Sequence, residues 1–149
     1  MTVRRSLTSL AIGTALVLFA VSVSAQGGDK FTARLGWVPI SGAERANVTG
    51  KGSATATLSG RKLSITGSFE GLAAPATEAR LHEGVAKGAR GPAILDLTIT
   101  KATGGTISGT VDLTGDQVAA LREARLYVQV HSEKGVAPDG SNLWGWFLR

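Results

Sequence analysis

The chain has 149 residues, no cysteine, and a formal net charge of +5 from 16 Lys and Arg against 11 Asp and Glu. The absence of cysteine excludes disulfides, a lipid-anchored lipoprotein and a cysteine nucleophile. The basic residues stand singly among Thr, Ser and Gly, without a stripe or interleaved aromatics, which argues against a nucleic-acid partner.

The N-terminus has the organisation of a secretory signal peptide. Arg4 and Arg5 precede the uncharged run LTSLAIGTALVLFAVSVS, and small residues form a cleavage site before Gln26. We expect residues 1–25 to be removed, leaving 26–149 as one secreted or periplasmic domain with no membrane span. A retained membrane helix is the alternative, but no basic stop-transfer run follows. Cleavage lowers the formal charge to +3, because both signal arginines are lost.

After residue 30 the chain alternates apolar and polar side chains in short runs, as strands with one dry and one wet face do. Turns rich in Gly, Asn and Asp separate these runs. Six to eight such strands predict an all-β fold, an antiparallel β-sandwich. The predicted core residues are Leu58, Leu63, Ile65, Phe69, Leu81, Leu95, Leu97, Ile99, Ile107, Val111, Leu126, Val128 and Val130.

One segment, LTGDQVAALREAR, departs from this alternation and has the pattern of a helix. Thr114 with Gln117 three residues later forms a capping box, and apolar residues then recur at helical spacing. The sequence therefore predicts a short connecting helix over 115–122 that leads into a strand over 124–131.

Two stretches begin with the same letters, EARLHEG at Glu78 and EARLYVQVHSEKG at Glu123, and each runs into one of the two histidines, His82 and His131. Both stretches place aliphatic residues on one face and polar residues on the other. Pairing the two strands keeps each face uniform, so we expect them to be neighbours. We also expect both histidines to lie at the same end of the sandwich.

That placement would make a candidate copper or zinc site from His82, His131 and Glu83, since imidazole and carboxylate are ligands of both metals. Two imidazoles do not fill a four-ligand site, and Arg80 would bring a cation into it. Two other interpretations stay open: histidines that stabilise strand ends through loop carbonyls and acids, and a pH-sensitive contact.

Further polar and aromatic residues share the predicted outer faces. By a period of two, Arg80, Tyr127 and Gln129 fall on the same faces as the histidines, and Trp144 and Trp146 share one face of LWGWFLR. These five are the candidate partner-binding residues. Packing of the two indoles in the core or at a sheet edge is the alternative.

The order of short segments resembles the CHRD domain family, named for chordin. ARLHEG, then GP, then LYVQVHS after the short helix are similar to the family's His-Ile-His-then-Gly, Gly-Pro and Tyr-Val-Asn-Val-His segments, and the resemblance covers most of 31–148. The chain departs from the family at Arg80, which replaces the first histidine, at WVPI, which keeps only Val38 and Pro39 of Glu-Val-Pro-Pro, and at SNLWGWF, which retains one glycine of Gly-Glu-Ile-Arg-Gly. The resemblance implies an immunoglobulin-like antiparallel β-sandwich of Greek-key type, with no established catalytic activity.

These observations predict a non-enzymatic, exported binding or interaction module that needs no cofactor and has an unknown extracytoplasmic protein or ligand as its partner. The alternative is an extracytoplasmic copper- or zinc-binding protein that uses His82 and His131. An enzyme is disfavoured because the sequence has no Gly-x-Ser-x-Gly elbow and no phosphate-binding glycine loop.

Overall fold

Eight antiparallel strands and one short α-helix make up the fold in a computed structural model that describes residues 27–149. The predicted signal peptide over 1–25 lies outside the described residues. The strands are β1 (Asp29–Trp37), β2 (Lys51–Ser59), β3 (Lys62–Glu70), β4 (Ala76–Glu83), β5 (Ala93–Ile99), β6 (Gly105–Asp112), β7 (Leu126–Val136) and β8 (Ser141–Trp146); the helix is α1 (Gly115–Arg122), and a 3-10 turn spans Gly42–Glu44.

The strands close into a barrel in the order β1, β2, β3, β6, β5, β4, β7, β8, and back to β1. The closing pair is β8 with β1, where Gly36 lies opposite Trp144 and Trp37 opposite Leu143. The predicted immunoglobulin-like sandwich is therefore wrong. Its alternating pattern is equally the pattern of a barrel strand, since both architectures give each strand one inner and one outer face. What separates them is the pairing that joins the two sheets, between the first and last strands and between β5 and β6, which no local pattern reports.

Side chains fill the barrel interior, as they do in other barrels of eight strands. The prediction of the core is confirmed: only Leu95, Ile99 and Val111 are partly exposed, and the other predicted core residues are buried. Large buried residues that the prediction left out are Phe31, Leu35, Leu113, Leu121, Leu143 and Phe147.

The predicted helix is confirmed as α1. The Gln117 amide N–H donates to the Thr114 hydroxyl (3.2 Å), and the Thr114 N–H donates to the Gln117 side-chain oxygen (2.9 Å), which completes the capping box. Ala120 and Leu121 are buried in the core, so the helix packs against the barrel. Over residues 27–149, no helix has the length and apolar character needed to cross a membrane.

Candidate functional site

The candidate site is the outer face of β4, β7 and β8, which are neighbours in that order. The prediction that the two EARL-containing strands pair is confirmed, with Ala79 opposite Val130 and Leu81 opposite Val128. The outward residues form three cross-strand rows. These rows are His82, Tyr127 and Trp146; Arg80, Gln129 and Trp144; and Glu78, His131 and Ser141. All five candidate partner-binding residues therefore lie on this one face.

Much of the outer face is covered, although it lies outside the barrel. Tyr127, Gln129 and His131 are only 1%, 2% and 2% exposed. Tyr127 contacts Gly91 in the loop between β4 and β5, and His131 contacts Asp139 in the loop between β7 and β8. These two loops therefore cover the face. Tyr127, Gln129 and His131 are therefore not accessible for direct contact with a partner, whereas Trp144 and Trp146 are partly accessible.

His82 holds the first loop through its imidazole. Its Nδ1 lies 2.9 Å from the Gly91 carbonyl oxygen, which can only accept, so Nδ1 carries the proton. The ring stacks on Tyr127 at 4.9 Å between centroids, and Tyr127 in turn stacks on Trp146 at 4.8 Å. Nε2 is buried without a hydrogen-bond partner among the described residues. Burial lowers the pKa of His82 and outweighs the opposing Gly91 hydrogen bond, so the ring is held neutral.

The close contacts at position 91 explain why the residue before Pro92 is a glycine. The Gly91 N–H donates to the Tyr127 hydroxyl (3.1 Å), and that hydroxyl lies 3.3 Å from the Gly91 carbonyl oxygen. A Cβ at residue 91 would lie 2.6 Å from the carbonyl carbon of Glu83 and would overlap its oxygen. No side chain fits there without moving the loop off His82 and Tyr127.

His131 holds the second loop. Its Nδ1 lies 2.9 Å from the Asp139 backbone oxygen, and Gln129 Nε2 lies 3.3 Å from its Nε2. The same Gln129 nitrogen donates to the Ser141 hydroxyl (2.6 Å), which donates to the Asp139 carboxylate (2.7 Å). Burial of Asp139 alone would raise its pKa, but the two Ser141 hydrogen bonds and the positive groups near it leave that pKa lowered. Both ring nitrogens of His131 are thus occupied.

Ion pairs engage several other charged residues of the two EARL stretches. Arg80 contacts Glu78 (2.7 Å) and Asp96 (3.1 Å). Arg125 contacts Glu83 (3.1 Å) and also the first glutamate of its own stretch (2.9 Å). The stretches are not structural equivalents, because the first lies within β4 whereas the second forms the end of α1 and a left-handed turn before β7.

The expectation that both histidines lie at the same end is wrong. In the antiparallel pair, His82 lies opposite Tyr127 and His131 lies opposite Glu78. That register separates the histidines by four residues along the sheet, about 13 Å at the usual rise per residue. Two strands that each end in histidine bring those ends together only when they run parallel.

The geometry gives the copper or zinc hypothesis no common site. Glu83, the predicted third ligand, pairs with Arg125, and His82 and His131 each hold a different loop. Within residues 27–149, no three or more His, Asp or Glu side chains are grouped so as to hold a metal ion.

Two arginines at this face were missed by sequence reasoning. The Arg90 guanidinium carbon lies 5.2 Å from the centroid of the Trp144 ring. The Gly36–Trp144 pair and the Thr32–Leu148 bridge just beyond β8 share one register, which places Arg34 opposite Trp146. The period of two in ARLGW places Arg34 outward, but its neighbour across the closing seam could not be read from the sequence.

Comparison with known proteins gives one finding. A family model described as the CHRD domain matches residues 38–140, which is most of the chain. No curated protein and no solved structure matches. CHRD domains are typically extracellular or secreted, and membership supports an extracellular module of the binding type without naming a ligand. On this match, the chain belongs to the CHRD domain family.

Proposed function

We propose that this protein is an exported, non-enzymatic binding module whose contact surface is the outer face of β4, β7 and β8. One observation carries the proposal: the two histidines and the tyrosine of this face are buried and hydrogen-bonded to loops, whereas its two indoles are partly accessible. The buried side chains of the face therefore hold its loops in place, and the accessible indoles are left to contact a ligand.

The hydrogen bonds of the buried His131, Tyr127 and His82 side chains support a structural role for them. A general acid or base must reach the proton that it transfers, either directly or through one water. His131 has a partner at each ring nitrogen, and the Tyr127 hydroxyl faces Gly91. His82 is kept neutral by burial, under the same loop.

The accessible groups support binding. Trp144 and Trp146 are half-buried, with their rings 4.7 Å apart in an edge-to-face arrangement. Arg90 lies over one of them. Trp, Tyr and Arg are the residues that most often dominate binding energies at protein interfaces. Trp offers a large rigid contact area at low entropic cost. Ordered loops around such groups further reduce the entropic cost of association.

Two observations support export. The sequence begins with the arginine pair, uncharged run and small-residue cleavage site of a signal peptide. The family is typically extracellular or secreted. An oxidising compartment places no demand on this chain, because it contains no cysteine.

Site-specific photo-crosslinking in the native host tests the proposal. A benzophenone amino acid replaces Trp144 in one strain and Thr110 in another. Thr110 is the matched control because it is exposed on β6, which lies diametrically opposite β8 in the barrel. We expect discrete adducts in the extracytoplasmic fraction from position 144 and none from position 110. Equal adducts from both positions, or none from 144, would contradict the proposed surface.

A further inference from the structure

Two guanidinium groups flank the paired indoles of the candidate surface. In spatial order the residues are Arg34 on β1, Trp146 and Trp144 on β8, and Arg90 in the loop between β4 and β5. We call these four residues the Arg–Trp strip. It crosses the seam at which the barrel closes.

The Arg34 end of the strip is fixed by strand pairing. Gly36 of β1 pairs with Trp144 of β8, and Thr32 pairs with Leu148 in the same register. Arg34 lies midway between Thr32 and Gly36 and therefore faces Trp146. Directly opposed residues of antiparallel strands have Cβ atoms roughly 5 Å apart. Arg34 also lines a shallow groove of about 350 Å³ together with the hydroxyl residues Ser53 and Ser68. Lys51 and Glu70 line the same groove and form an ion pair with each other (3.3 Å), so they add no net charge to it.

The other end of the strip is fixed by the Arg90 guanidinium over the Trp144 ring. Arg90 itself is exposed. Gly36 leaves the space beside Trp144 open, since a Cβ there would have nothing within 4 Å. The strip therefore presents the accessible side of the Trp144 indole between two positively charged side chains, Arg34 and Arg90.

The charge balance of the strip distinguishes it from the rest of the face. Arg80 and Arg125 each hold two carboxylates. Among the ion pairs within residues 27–149, none with an N–O distance of 4.0 Å or less involves Arg34 or Arg90. Asp139 is a carboxylate of the same face that accepts two hydrogen bonds from Ser141, and it lies beyond ion-pair distance of both Arg34 and Arg90. The two arginines of the strip are therefore available to an external anion.

We propose that the Arg–Trp strip binds an acidic polysaccharide, which deepens the binding role proposed above and rests on it. Guanidinium groups bind carboxylate and sulfate oxygens in a two-pronged geometry. Trp144 and Trp146 offer partly accessible apolar ring surface, although the Trp146 indole nitrogen is buried. The hydroxyls of Ser53 and Ser68 extend the surface onto β2 and β3. Neighbouring strands lie about 4.8 Å apart, so the strip and groove suit an extended chain laid across several strands.

The closed barrel favours a polysaccharide over an acidic peptide. An extended peptide commonly binds by adding a strand to an open sheet edge. The two strands that carry the strip, β1 and β8, each have a neighbour on both sides, so the strip itself offers no such edge. A peptide would have to bind through side chains alone, without main-chain pairing.

Calorimetric titration of the purified protein with four probes tests the inference. The probes are an oligogalacturonate, dextran sulfate, uncharged maltoheptaose and poly-glutamate. We expect oligogalacturonate or dextran sulfate to bind, maltoheptaose not to bind, and poly-glutamate to bind far more weakly. The acidic glycan that binds identifies the anion. No binding of either acidic glycan, or equal binding of poly-glutamate, overturns the inference.

Matched charge-removing variants locate the site. Arg34→Gln and Arg90→Gln are each expected to weaken glycan binding roughly fivefold, the size of an exposed charge contact. Arg61→Gln removes the same charge from the exposed turn between β2 and β3 and should change affinity less than twofold. Equal losses in all three variants would show nonspecific attraction and overturn the assignment. Adducts from position 144 in cells together with no acidic-glycan binding would leave the proposed function standing and remove only this ligand class.

Discussion

Replacing Gly91 with alanine is expected to release the loop over 84–92 from the outer face. The alanine Cβ would lie 2.6 Å from the Glu83 carbonyl carbon, closer than a real Cβ approaches another carbon atom. Because β4 is paired on both sides, the strand cannot retreat and the loop must move. The loop then takes its backbone groups away from His82 and Tyr127.

The expected loss of stability follows from the contacts at Gly91. Three hydrogen-bond contacts join this residue to His82 (2.9 Å) and Tyr127 (3.1 and 3.3 Å). A typical intramolecular hydrogen bond contributes about 1 kcal/mol net, so losing all three would cost about 3 kcal/mol. Water reaching the freed groups recovers part of this. We therefore expect the free energy of unfolding to fall by about 2–3 kcal/mol, while the barrel core stays folded.

Urea denaturation followed by tryptophan fluorescence measures this loss, and near-UV circular dichroism reports on the stack of His82, Tyr127 and Trp146. Gly115→Ala is the matched control, because its Cβ meets nothing within 4 Å and alanine favours the helix that begins there. The control should be neutral or stabilised by up to about 1 kcal/mol. A Gly91→Ala protein within about 0.5 kcal/mol of wild type, with an unchanged near-UV spectrum, would refute the reasoning, since surface changes ordinarily fall in that range.

Three further predictions test the protonation state, the core and the N-terminus. Because burial lowers the pKa of His82 in the folded protein, the unfolded chain takes up a proton first as the pH falls below 6.5, so stability should drop there by at most about 1.4 kcal/mol per pH unit. His82→Asn, which keeps an N–H for Gly91, should show a smaller drop in urea titrations at pH 7.5 and 5.5; an equal drop would assign the dependence elsewhere. Val128→Asp should unfold the barrel by circular dichroism, since it buries an unpaired charge, whereas exposed Thr66→Asp should fold; a folded Val128→Asp would contradict the assigned core. Intact-mass spectrometry of the exported protein should give a chain that starts at Gln26, and a species that retains Met1 would count against signal cleavage.

The sequence was sufficient to predict structural features that depend on residues close together in the chain. The capping box of Thr114 and Gln117 is a contact across three residues, and the structure has it as predicted. The alternation in LYVQV likewise identified the inner face of β7, because side-chain direction along a strand has a fixed period of two. The same rule placed Trp144 and Trp146 together.

The sequence could not predict what depends on how distant strands meet. The sandwich and the barrel share one alternation, and they differ in whether the two sheets are joined by strand pairing, here at β1–β8 and at β5–β6. The placement of the histidines failed for a related reason: the pairing of β4 and β7 was predicted, but its antiparallel direction carries His82 and His131 to different rows. The deep burial of Tyr127 and Gln129 arises from loops that fold back over the sheet, which strand periodicity does not report.

Barrel closure itself assembles the Arg–Trp strip. Arg34 belongs to the first strand of the barrel and Trp146 to the last, and they face each other only because β8 returns to β1. A partly folded chain with an open seam would present the two halves of the strip separately, and each half would offer one guanidinium. A ligand that spans both halves binds the closed barrel better than the open one, and by linkage it must stabilise closure by the free energy of that preference. The seam, which no local pattern in the sequence reveals, is thus the feature on which both the fold and the proposed binding surface depend.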